Sequence, residues 1–76
     1  MSMCAMVEVF KTNIDNEDEV DLILFKLGNV FPEFRINFDL EDSDKVMRIE
    51  SPDSNIEVKS VIGFMNSFGF YCKPLD

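Results

Sequence analysis

The chain has 76 residues, of which 46% are hydrophobic, and its fifteen acidic and seven basic residues give a net charge of −8. This length predicts one small domain, residues 1–76, which buries only a little over ~60% of the surface that its unfolded chain exposes. The negative charge disfavours nucleic acid and anionic membranes as partners, and the lack of histidine removes the usual general base, so we expect no enzyme.

Targeting signals are missing from the sequence as it stands. No apolar run has the length of a membrane span, and no basic segment precedes an apolar one as in a secretory signal. We therefore expect a cytoplasmic protein, in which the two cysteines are free thiols.

The first half of the chain predicts a strand followed by a helix. Residues 6–12, MVEVFKT, are rich in β-branched and aromatic side chains, and their alternation places Val7 and Val9 on one face. A helix is expected from about residue 16 to about residue 29, because Pro32 opposes further extension. Its apolar residues are spaced three and four apart, as in a buried stripe: Val20, Ile23, Leu24, Leu27, Val30 and Phe31.

Two strands, a second helix and a last strand follow. Residues 34–40 alternate between apolar and polar side chains, and residues 45–51 form the next strand. Ser54 and Glu57 have the spacing of a capping box for the second helix, which Gly69 ends before a strand at residues 70–75. The stripe of that helix is Val58, Val61, Ile62, Met65 and Phe68.

The predicted fold is an α+β, ferredoxin-like β-α-β-β-α-β sandwich. Four antiparallel strands take the spatial order 4-1-3-2, with both helices on one face and the other face open. Alternation predicts that one set points to the helices (Val7, Val9, Phe34, Ile36, Phe38, Met47 and Ile49) and another points away (Met6, Phe10, Arg35, Val46, Arg48, Tyr71 and Lys73).

The chain resembles the heavy-metal-associated domain of copper chaperones and metal-transporting ATPases. The resemblance lies in Ile14, the helix pattern Val20, Ile23 and Leu27, the strand INFDL at 36–40 and the ending FGFYCKPL at 68–75. That family binds a soft metal ion through a Met-x-Cys-x-x-Cys loop. Here Ile14 takes the place of the methionine, while Asn16 and Glu19 take the places of the cysteines. Because soft ions select sulfur, the resemblance implies the fold and not the family's metal transfer.

The acidic segment TNIDNEDEV, residues 12–20, predicts a helix cap. Asp15 or Asn16 can accept hydrogen bonds from the first turn, with Asp18 or Glu19 completing a capping box. The alternative is a weak Ca²⁺ or Mg²⁺ site formed by Asp15, Glu17, Asp18 and Glu19, with Asp21 nearby. The acids of the hairpin, Asp39, Glu41, Asp42 and Asp44, allow the same cation-site interpretation, against which stands a solvated turn.

Sulfur ligands suggest a second metal alternative. Thioether and thiol groups favour Cu(I), and the predicted fold brings the start of strand 1 near the end of strand 4. The candidate ligands are Met1, Met3, Cys4, Met6 and Cys72, and Cys4 and Cys72 could also form a disulfide. The competing interpretation treats Cys72 as a small buried hydrophobic residue.

Two surfaces are candidates for protein interaction. The open sheet face is expected to present Phe10, Arg35, Arg48 and Tyr71, whose types are common in interface cores. The outer side of helix 1 presents Leu22 and Phe25, with Phe64 at the margin of helix 2. The sequence thus predicts a non-catalytic module without a cofactor that binds a protein partner or forms a homodimer. The alternative function is a metal-ion carrier with relocated ligands.

Overall fold

The computed structural model describes residues 6–52 and 56–75. Its elements are β1 (Met6–Thr12), α1 (Glu17–Val30), β2 (Arg35–Asp39), β3 (Val46–Ser51), α2 (Val58–Ser67) and β4 (Cys72–Pro74). All neighbouring strands are antiparallel, in the order β2-β3-β1-β4, which is the predicted order read from the opposite edge. The protein is an α+β, ferredoxin-like sandwich, as predicted.

The helix ends follow from residues that the backbone requires. At the end of α1, the amide of Phe31 donates to the Leu27 carbonyl at 2.7 Å before Pro32 removes the next donor. Gly69 has φ +87° after α2, a conformation that favours glycine. At the start of α2, Glu57 is the N-cap residue without a side-chain cap bond, and the predicted cap Ser54 lies outside the described residues.

One hydrophobic core lies between the helices and one sheet face. Its buried members come from both helices and from three strands, including Ile23, Leu27, Ile49, Val61 and Met65. Neither helix in the described ranges is long and apolar enough to cross a membrane. The prediction that Met47 and Ile49 point toward the helices is confirmed, since both are fully buried.

The register predicted for β1 is wrong. Phe10 is fully buried opposite Met47, whereas Val7 is 39% exposed and Val9 lies on the same outward face. Each alternating set of β1 contains two large apolar side chains, Met6 and Phe10 in one and Val7 and Val9 in the other, so the pattern does not distinguish them. Burying the phenylalanine removes more apolar area from water, and a shift of one residue exchanges every side chain between the faces. Phe10 is therefore a core residue and not an interaction residue.

The inward end of β1 is also fixed by a hydroxyl. Thr12 is buried, and its Oγ1 donates to the Lys45 carbonyl at 2.6 Å and accepts from the Ile14 amide at 3.2 Å. These bonds satisfy a buried polar group. They hold the even-numbered residues of β1 toward the helices, which moves Met6 to the core side as well.

The stripe of α1 is narrower than predicted. Val20, Ile23 and Leu27 are buried, but Leu24 is 38% exposed and Val30 is 52% exposed. Leu24 is rotated by about 100° around the helix axis from Ile23, which places it at the border of the buried stripe. It faces the space beside β2 instead of the core.

Candidate interaction surfaces

The segment at residues 12–20 is a helix cap, as predicted. Asn16 is the N-cap of α1, and its Oδ1 accepts from the Glu19 amide at 2.9 Å. In return, Glu19 Oε1 accepts from the Asp15 amide at 2.8 Å. Glu17 and Asp18 complete an acidic first turn, which complements the positive end of the helix dipole.

Lys45 ties this segment to the hairpin between β2 and β3. Its Nζ donates to the Leu40 carbonyl at 3.0 Å and lies 3.6 Å from Asp15 Oδ1. The backbone of Lys45 is left-handed, with φ +49°, and the Thr12 amide donates to the adjacent Asp44 carbonyl at 3.1 Å. A protein ammonium group therefore lies beside the carboxylate of Asp15.

The hairpin acids stabilise turns. Asp39 Oδ1 accepts from the Glu41 amide at 3.2 Å, and Asp42 Oδ1 accepts from the Asp44 amide at 2.8 Å. Such side-chain-to-backbone bonds are a usual reason for aspartate in turns. Across residues 6–52 and 56–75, no group of three or more His, Cys, Asp or Glu residues is arranged to hold a metal ion.

The sulfur candidates are only partly described. Met1, Met3 and Cys4 lie outside the described residues, and Met6 is half-buried at the start of β1. Cys72 is a free thiol that is only 6% exposed, and burial raises its pKa from 9.0 to about 11. Since metal binding requires the thiolate, the buried thiol of Cys72 is a poor ligand at neutral pH.

The sheet face turned away from the helices is called the open face below. Alternation from the paired residues assigns to it Val7, Val9 and Lys11 of β1, Val46, Arg48 and Glu50 of β3, Arg35, Asn37 and Asp39 of β2, and Lys73 of β4, continued by Tyr71 and Leu75. Four of the seven basic residues of this acidic protein lie there. The sequence predicted three of the four and missed Lys11, because the register of β1 was reversed.

The cations of the open face are poorly neutralised. Lys11 and Lys73 are directly opposite each other on β1 and β4. Lys11 has an exposed ion pair with Asp44 at 3.5 Å. Arg35, Arg48 and Lys73 make no ion pair with any described residue. The face also carries Glu50, opposite Arg35, and Asp39, but its four cations outnumber these two acids in a protein whose net charge is −8.

The outer side of α1 also presents apolar groups. Leu22 is 42% exposed and Phe25 is 66% exposed, as the sequence predicted. Phe64 lies elsewhere: its ring packs at 6.3 Å from Phe31 and at 4.9 Å from Phe68, and it is half-buried against the core. Phe64 therefore belongs to an aromatic cluster between the helices.

A groove of about 390 Å³ lies between α1 and β2. One wall is formed by Glu17, Val20 and Leu24 of α1, and the other by residues 36–41, which are most of β2 and the start of the hairpin. Since consecutive strand residues point to opposite faces, contact with all of them means that the groove follows the strand's edge. The groove was not predictable from sequence, because it depends on how far α1 lies from the edge of β2 and neither hydrophobic pattern reports that distance.

No protein-family model, curated protein or solved structure matches the chain. The resemblance to heavy-metal-associated domains accordingly rests on the sequence pattern, and kinship with them stays a prediction.

Proposed function

We propose that the protein is a non-catalytic module that binds an acidic surface of another protein through its open face. The observation that supports this most is the excess of positive charge: Lys11 and Lys73 lie directly opposite each other on β1 and β4, with Arg48 and Arg35 on the same face. Like charges directly opposite each other destabilise a sheet. An acidic partner would relieve that repulsion.

Apolar groups among these cations favour a protein over a nucleic acid. Val9, Leu75 and Tyr71 lie on the same face as the lysines and arginines, and tyrosine and arginine are common in interface hot spots. Single-stranded RNA is bound on such sheets by stacking bases on aromatic rings. With Phe10 buried, the strands themselves present no ring on the open face. We also propose a cytoplasmic location, which suits the free thiol of Cys72.

The proposal is tested by titrating the protein with a capped peptide, Glu-Val-Glu-Tyr-Glu-Val-Glu, while amide resonances are followed by NMR. We expect shifts at the open face, and about tenfold weaker binding for Lys73→Glu. Lys59→Glu is the matched control, because Lys59 is exposed on α2 and its substitution changes the net charge by the same amount.

Three results would contradict the proposal. The first is the absence of shifts at millimolar peptide, and the second is equal weakening by Lys73→Glu and Lys59→Glu. The third is tighter binding of a single-stranded oligonucleotide that has the same charge as the peptide.

A homodimer is a second candidate because Phe25, at 66% exposure, is the most exposed large hydrophobic residue among those described. Association through Leu22 and Phe25 would bury them and supplement a small core. Light scattering over a range of concentrations should then show a dimer that Phe25→Asp dissociates. Val30→Asp, which places the same charge at another exposed position of α1, should leave the dimer intact. A monomer at all concentrations contradicts this candidate.

A further inference from the structure

We infer that the groove between α1 and β2 takes an extended basic segment of another protein, which adds to β2 as a fifth strand. This site shares Asn37 and Asp39 with the border of the open face, but β3 separates it from Lys11 and Lys73, and it selects the opposite charge. Three features carry the inference: a free strand edge, an apolar wall and an acidic rim.

The outer edge of β2 is regular and has no strand partner among residues 6–52 and 56–75. Within these ranges β3 is its one neighbour in the sheet, and the pairing with residues 46–50 is continuous from Arg35 to Asp39. Antiparallel strands direct alternate backbone groups outward, so five residues leave two or three of them available to a new strand. β2 contains no proline or bulge, which are among the usual means of blocking an edge.

The apolar wall supplies what an added strand needs for its inward side chains. Val20 and Leu24 line one side, and Ile36, Phe38 and Leu40 line the other, all of them only partly covered except Val20. Alternate side chains of an added strand would lie level with Ile36 and Phe38, beside the helix. Apolar residues at every second position of the ligand fit these contacts, as in other strand-addition sites.

The rim sets the charge of the ligand. Glu17, Asp39 and Glu41 line the groove, and none of its lining residues is basic. Glu17 forms no ion pair with any described residue, and neither does Asp39 or Glu41. Asp39 and Glu41 lie at the hairpin end of β2, whereas Arg35 begins the strand at its other end. A lysine or arginine of the added strand at the hairpin end would meet the carboxylates, and a glutamate there would be repelled.

The probe is a capped peptide, Lys-Val-Thr-Val-Thr-Val-Lys, titrated into the full chain by NMR. We expect shifts at residues 36–41 and along the Glu17–Val20–Leu24 side of α1, together with slower hydrogen exchange in β2. Two matched peptides separate the features. Glutamate in place of both lysines should weaken binding at the groove about tenfold, and proline in place of the central valine should abolish it.

Two variants separate the groove from the rest of α1. Leu24→Arg removes an apolar contact and adds repulsion, so it should weaken the lysine peptide about tenfold. Val30→Arg is its control, because Val30 is exposed on the same helix but does not line the groove. The Val30→Arg variant should bind the lysine peptide as tightly as the unmodified protein does.

Each alternative outcome overturns the inference. No shift in β2 at millimolar lysine peptide removes the site. Equal binding of the glutamate peptide at residues 36–41 removes the charge selection, and equal binding of the proline peptide removes strand addition. If the lysine peptide shifts only amide resonances of the open face, its binding site is not the groove. None of these results bears on the glutamate-rich peptide proposed for the open face, so the two proposals fail separately.

Discussion

The two edge strands of the sheet, β4 and β2, differ in whether another strand can pair with them. β4 is three residues long, pairs with β1 through Phe10, Lys11 and Thr12, and contains Lys73 and Pro74. Proline lacks the amide proton that a further strand would need, and lysine is a common edge guard. β2 is five residues long, has neither residue, and borders an apolar groove. One edge is closed by its own sequence and the other is left available.

The largest effect is expected from the residue that supports the closed edge. Phe10 lies between Met47 of β3 and Pro74 of β4, and it is fully buried. Phe10→Ala should lower the free energy of unfolding by about 3–5 kcal/mol, because it removes a buried ring and leaves a cavity. Urea denaturation measures this. The control Val9→Ala, on the open face, should cost less than about 1 kcal/mol, and a reversed ranking would show that β1 is in the other register.

Alkaline pH should loosen the same edge through Cys72. Burial raises the pKa of its thiol from 9.0 to about 11, so the folded state prefers the neutral form. The stabilisation is complete below pH 9 and is lost as the pH rises toward 11. We expect a loss of up to about 2 kcal/mol relative to Cys72→Ala over that range. Unfolding curves at several pH values measure it, and parallel pH profiles of the two proteins would contradict the assignment.

Alanine should have opposite effects on stability at Gly69, in the turn that leads into β4, and at Gly63, inside α2. Gly69 has φ +87°, whereas Gly63 is inside α2, and an added Cβ would meet no atom within 4 Å at either position. Gly69→Ala should therefore cost about 1 kcal/mol from backbone strain alone. Gly63→Ala should instead stabilise by about 0.5–1 kcal/mol through helix propensity. Thermal unfolding of both variants decides the point, and equal changes would refute the left-handed turn.

The smallest expected effect is on the helix beside the open edge. Asn16→Ala removes the cap of α1, which forms one wall of the groove, and should cost about 0.5–1 kcal/mol. Asp15→Ala should cost less than about 0.5 kcal/mol, because the ion pair of Asp15 with Lys45 is exposed. The hydrogen bond from the backbone amide of residue 15 to Glu19 Oε1 does not need the aspartate side chain and remains. Urea denaturation again compares them. A larger loss for Asp15→Ala would mean that the ion pair, and not the cap, fixes this end of α1.

Most of the fold was predictable because local signals agreed with one another. Pro32 and Gly69 mark the ends of the helices, and strict alternation in residues 34–40 places Ile36 and Phe38 toward the core. The register of β1 was not predictable, because its two alternating sets are similarly apolar and the choice depends on contacts with Met47 and Lys45.

The surfaces were less predictable than the fold. Leu22 and Phe25 were placed correctly, since helical spacing alone puts them opposite the stripe. Leu24 fits the stripe by spacing, and only the position of β2 shows that it lines a groove. The opposition of Lys11 and Lys73 likewise depends on two strands from opposite ends of the chain.

Tyr71 gives the molecule a built-in optical reporter. It is the only tyrosine, and the chain has no tryptophan. The residue is 46% exposed beside the open face, and its backbone amide donates to Asn13 Oδ1 at 2.9 Å. Emission excited at wavelengths that phenylalanine does not absorb therefore originates at this one position. A ligand without tyrosine or tryptophan on the open face would change the intensity or anisotropy of that emission, whereas one bound beside β2 would leave it nearly constant.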